Sequence, residues 1–97
     1  MRWLKRLVAE SDADFLIQLL FTIEAEARWA WVTLAADRVL SLAPERPKAL
    51  YVVARAYRAW DNAIGSKAQQ SRVHELLTRC VARGDEPRGR CAKGLAQ

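Results

Sequence analysis

The chain has 97 residues, 52% of them hydrophobic and 28% charged, with only four Gly, three Pro and a formal net charge of +5. That length suits one domain, and the composition excludes a disordered linker protein, collagen-like material and a turn-rich β sandwich. No apolar run approaches the ~20 residues of a spanning helix, and Glu10, Asp12 and Asp14 end the opening run too early for a secretory leader, so a cytoplasmic protein is expected.

The charge is unevenly placed. Residues 1–46 hold six Lys/Arg and seven Asp/Glu, whereas residues 47–97 hold ten and four. A basic second half suits either general solubility or an anionic partner.

Met1–Ala43 contains neither Gly nor Pro, the two residues that helix interiors exclude most strongly. The whole chain therefore reads as α-helical, with breaks at Pro44–Pro47, Gly65 and Gly84. Arg2–Ala9 is a short basic amphipathic piece expected to pack on the helices that follow. Ser11 is a candidate N-cap, with Asp12 and Asp14 suited to the positive end of the helix dipole. Phe15–Leu42 follows, apolar almost all round at its start. Leu16, Leu20, Ile23, Ala27, Ala30, Trp31 and Leu34 continue one stripe at helical spacing, and Glu24 and Arg28 form an i,i+4 pair. The run Phe15–Ile23 asks for more cover than one short helix supplies, which points to a homodimer through this helix.

Pro44 and Pro47 end that segment and begin the next. A helix is predicted from about Pro47 to Trp60, with Leu50, Val53, Ala54, Tyr57 and Trp60 inward. Asp61-Asn62 and Gly65 read as a turn. Ser66 then starts a last helix over about Lys67–Arg83, with Val73, Leu76, Leu77, Cys80 and Val81 inward and Gly84 as its stop. The expected organisation is a single helical domain over 1–84, built of three to four helices, and a basic, disordered tail over 85–97. Cys80 reads as a small buried hydrophobe and Cys91 as an exposed tail residue; a cytoplasmic setting favours reduced thiols over the alternative of a structural disulfide.

The stretch Val39-Leu40-Ser41-Leu42-Ala43-Pro44, followed by Leu50, Val53-Ala54 and Tyr57, resembles part of a tetratricopeptide repeat over about residues 34–60. The resemblance implies an all-α array of packed helical hairpins, in which the small Ala54 allows close approach and Leu50 and Tyr57 fill the flanking grooves. Glu24–Trp29 lacks the turn-forming residue that would break the preceding helix pair. Either the chain turns at Ala25–Arg28 without one, or Asp12–Leu42 is a single helix.

No Gly-rich phosphate loop, nucleophile elbow or metalloprotease motif is present, and the single His74 cannot complete a zinc set with Cys80 and Cys91. No catalysis, cofactor or metal is expected. Trp29 and Trp31 point about 200° apart on one helix, which leaves Trp29 as a surface or interface aromatic, or as cover for another helix of the same chain. Trp and Arg dominate binding hot spots, so Arg28, Trp29, Tyr51, Arg55 and Arg58 are the candidate protein-binding anchors. The expected function is a non-catalytic helical adaptor that binds another protein. The alternative is a basic nucleic-acid-binding protein, or a small inhibitor of a nucleic-acid-binding complex. It would use Arg72, Arg79 and Arg83, which share a helix face, with Arg88, Arg90 and Lys93 in the tail.

Overall fold

The computed structural model describes residues 12–84 and 89–96. Among these there are five helices and no strand: α1 (Ala13–Ala25), α2 (Trp29–Leu42), α3 (Pro47–Ile64), α4 (Gln70–Ala82) and α5 (Arg90–Ala96). The class is all-α, with more helices than the three to four expected. The expectations for Arg2–Ala9, for Ser11 as a cap and for Arg88 lie outside the described residues. No helix among the described residues is long and apolar enough to cross a membrane.

Asp12 is the N-cap of α1. Its Oδ1 accepts hydrogen bonds from the Asp14 and Phe15 amides at 3.0 and 3.3 Å, which satisfies two of the free donors of the first turn. The long segment Asp12–Leu42 is a hairpin. The Arg28 amide donates to Ile23 O and the Ala27 amide to Glu24 O, both at 3.0 Å. This is the pairing of a Schellman motif, which normally has Gly in its left-handed position. Ala27 occupies it here, with φ of 55°, so the break carries no Gly, Asn or Asp to announce it.

The turn resets the helical phase. The stripe expected to run on through Ala27, Ala30, Trp31 and Leu34 does not form the buried face. Leu34 is 49% exposed, while Val32, Ala35, Ala36 and Val39 are buried. The Glu24–Arg28 pair is absent for the same reason: Arg28 pairs with Glu26, and Glu24 reaches across to Arg55. On α1, Leu16, Ile17, Leu19, Leu20 and Ile23 are all buried within one copy of the chain. That burial removes the need for outside cover on which the expected homodimer rested; Phe15 remains 38% exposed.

Helix α3 is the central element, packed against α1, α2 and α4. Pro47 occupies its first turn. Its inner stripe follows the sequence expectation at Leu50, Val53, Ala54 and Tyr57, and widens to Ala49, Val52 and Ala56 because neighbours cover it on several sides. The helix continues through Asp61-Asn62 and ends at Gly65, whose φ of 67° is left-handed. Asp61 Oδ2 accepts from the Gln69 amide at 2.9 Å, so the last turn of α3 anchors the entry to α4. Val73, Leu76, Leu77 and Cys80 of α4 face the core as expected, but Val81 is 40% exposed.

The segment expected to be a disordered tail contains α5. Cys91 is fully buried and disulfide-bonded to Cys80, rather than exposed and reduced. Gly94 is buried too. A methyl group added there would come within 3.0 Å of Leu77 Cδ1 and 3.4 Å of Arg58 Nη1. The close approach therefore needs a residue that, by composition alone, argues against a helix. Small buried residues carry little hydrophobic signal, which is why the docking was not legible in the sequence.

Candidate functional site

Helix α3 carries Tyr51, Arg55 and Arg58 one turn apart, a spacing that aligns them along one side of the helix. The structure brings all three into the lining of a groove of about 270 Å³ between α3 and α5. Arg90 and Lys93 of α5 form the facing wall, with Leu77 beneath. Four cationic side chains thus surround a partly apolar floor, and none of the described lining residues is acidic. Tyr51 is half-buried against the core, so its ring is held in place as part of that floor.

A second groove of about 500 Å³ lies on the α1 side of α3, lined by Phe21, Glu24, Trp29, Arg55 and Asn62. Trp29 is half-buried against the core rather than freely exposed, because the hairpin turn sets it beside α1. Arg55 belongs to both grooves. Its Nε lies 3.4 Å from Glu24 Oε1, and its guanidinium sits 5.2 Å from the centre of the Phe21 ring. Burial pushes the Glu24 carboxyl above the ordinary glutamate range, and the Arg55 charge partly opposes that shift. Glu24 Oε2 is buried with no hydrogen-bond partner among the described residues. The Arg55 side chain is still 48% exposed, so it can meet a further anion from the solvent side. Arg28 lies at the turn before Trp29, ion-paired with Glu26 at 2.8 Å.

The arginines of α4 and of its C-cap are placed differently. Arg72 Nη1 donates to the Tyr57 hydroxyl at 2.9 Å, and its guanidinium lies 5.1 Å from that ring's centre. Arg79 Nη2 donates to Pro44 O at 2.9 Å. Arg83 is ion-paired with Glu45. The face that read as a phosphate-binding stripe therefore ties α4 to α3 and to the loop between α2 and α3. Arg90, assigned to the same alternative, instead joins Tyr51, Arg55 and Arg58.

Lys93, like Arg90 a tail cation of the nucleic-acid alternative, is not joined to these anchors by its position in the sequence. Arg90/Lys93 and Cys91/Gly94 are two i,i+3 pairs, a sign of adjacent helix faces that was available in the sequence. It was masked by the glycines at 89 and 94 and by the absence of large apolar residues before Leu95. His74 is exposed on α4. Comparison with protein-family models, with characterised proteins and with solved structures finds no match.

Proposed function

We propose that the chain is a non-catalytic helical adaptor that binds another protein along α3, between the α1 side and the α5 side. The arrangement proposed is an array of tetratricopeptide-like hairpins, α1 with α2 and α3 with α4. The observation that carries this reading is the convergence of Tyr51, Arg55 and Arg58 on one groove, with Arg55 linking it to the Trp29 groove. Half-buried aromatics flanked by arginines supply preordered contact area together with charge-assisted donors, the combination that concentrates binding energy. The nucleic-acid alternative has less support, since Arg72, Arg79 and Arg83 line neither groove and Arg90 faces α3 instead.

Affinity capture from the source lysate tests the proposal, with and without nuclease. A protein partner should survive nuclease and be lost when Tyr51→Ala is combined with Arg55→Glu, while circular dichroism shows the helices intact. Loss of every partner on nuclease treatment would overturn the adaptor reading and favour the nucleic-acid alternative.

A further inference from the structure

The groove between α3 and α5 has two walls of different standing. Arg55 and Arg58 stand on α3, an eighteen-residue helix in the centre of the core. Arg90 and Lys93 stand on α5, a helix of seven residues. Isolated helices shorter than ~12–15 residues are marginal in water, and α5 places only Cys91 and Gly94 in the core, with Leu95 partly buried. Neither Cys nor Gly offers the apolar area that normally holds a helix down. The Cys80–Cys91 disulfide ties the first turn of α5 to the last turn of α4. Two of the four cations around the groove therefore stand on a helix that a covalent bond and the close fit of Gly94 on Leu77 hold to the core.

The charge and shape of the groove indicate its occupant. Its described lining is cationic without an acid, and its floor offers Tyr51, Ala54 and Leu77 to apolar atoms. A polyanionic nucleic acid needs cations spaced along a longer track, and Arg72, Arg79 and Arg83, which would extend one, do not line this groove. A short peptide that combines carboxylates with an apolar side chain matches both the rim and the floor. We infer that this groove receives an acidic segment of a partner protein, and that the Cys80–Cys91 disulfide keeps the receptor assembled. The inference rests on the adaptor reading and names the partner chemistry and the control of the same site. A dithiol reductant would convert the cystine to two thiols, itself becoming a disulfide. Helix α5 would then leave α4, and the groove would lose Arg90 and Lys93.

Fluorescence anisotropy on the full chain tests this, with a labelled peptide of Asp, Glu and Leu residues as probe. Its Asn/Gln counterpart and a mixed-sequence oligonucleotide serve as controls. The acidic peptide should bind the oxidised chain in preference to both controls. Arg90→Glu with Lys93→Glu should weaken that binding about tenfold, as reversal of complementary charges does, and reduction should weaken it at least as much. Equal binding by oxidised and reduced chain, preference for the oligonucleotide, or no binding of the peptide would each overturn the inference. If reduction also unfolds α1–α4, the oxidised Arg90→Glu/Lys93→Glu protein decides, and unchanged peptide affinity there overturns it. A nuclease-resistant protein partner lost on Tyr51→Ala/Arg55→Glu, alongside failure of the peptide, would end this inference and leave the adaptor reading standing; failure of both ends both.

Discussion

Helix α1 buries Leu16, Ile17, Leu19, Leu20 and Ile23, whereas α5 buries Cys91 and Gly94 and is joined to α4 by a disulfide. The first helix is held by apolar area, at about 1.5–3 kcal/mol for each fully buried aliphatic side chain. The second is held by covalent closure and by close approach over Leu77. A helix held by area is tied to the stability of the whole core. A helix held by one bond and little apolar area can be released while the core persists, which suits α5 to control the proposed binding site.

The sharpest way to break this contrast is to attack α1. Leu20→Ala removes a fully buried side chain and should lower global stability by about 2–5 kcal/mol. Urea denaturation should show one cooperative transition at a lower midpoint. A shift confined to part of the chain would mean that α1 is not integral to the core.

Attacking α5 should have a smaller and local effect. The bridged cysteines are eleven positions apart, and a loop of that size is worth about 2–3 kcal/mol in the chain-entropy account. With Cys91→Ser, amide exchange should accelerate over Arg90–Ala96 while α1 and α3 keep their protection. Uniform acceleration through α1 would show that α5 is integral to the core and would erase the distinction.

The turn at Ala27 gives an effect of opposite sign. Ala27→Gly removes the left-handed penalty at φ of 55° and should stabilise the α1–α2 hairpin by about 0.5–1 kcal/mol net of the added freedom of the unfolded chain. Thermal unfolding monitored by circular dichroism should show a midpoint a few degrees higher. No change would mean that the strain is relieved elsewhere in the turn.

The smallest effect concerns Glu24. Its carboxyl is raised in the folded chain, first by burial and against the pull of Arg55. The folded state therefore holds that proton more tightly than the unfolded state does. Stability from this group is fully present below its unfolded pKa and declines as pH rises through the folded one. Glu24→Gln should flatten that fall between the carboxylate range and neutrality, seen as a smaller change in denaturation midpoint with pH. An unaltered pH profile would assign the dependence to other groups.

Much of the helical framework was written locally. The absence of Gly and Pro through Met1–Ala43, the start at Pro47, the inward stripe of Leu50, Val53, Ala54 and Tyr57, and that of Val73, Leu76, Leu77 and Cys80 all follow from propensity and periodicity. These are short-range properties, so a linear reading reaches them. The site was legible only in part: Tyr51, Arg55 and Arg58 were recognisable because they share one side of a continuous helix. The turn at Ala27, the changed phase of α2, the docking of α5, the pairing of Arg72 with Tyr57, Arg79 with Pro44 and Arg83 with Glu45, and the meeting of Arg90 and Lys93 with α3 were decided by tertiary structure. Each depends on contacts between residues distant in the chain. An alanine in a left-handed turn, or a helix buried through Cys and Gly, carries at most a weak local signal; it forms because tertiary packing, and for α5 the disulfide, outweigh the local preference against it.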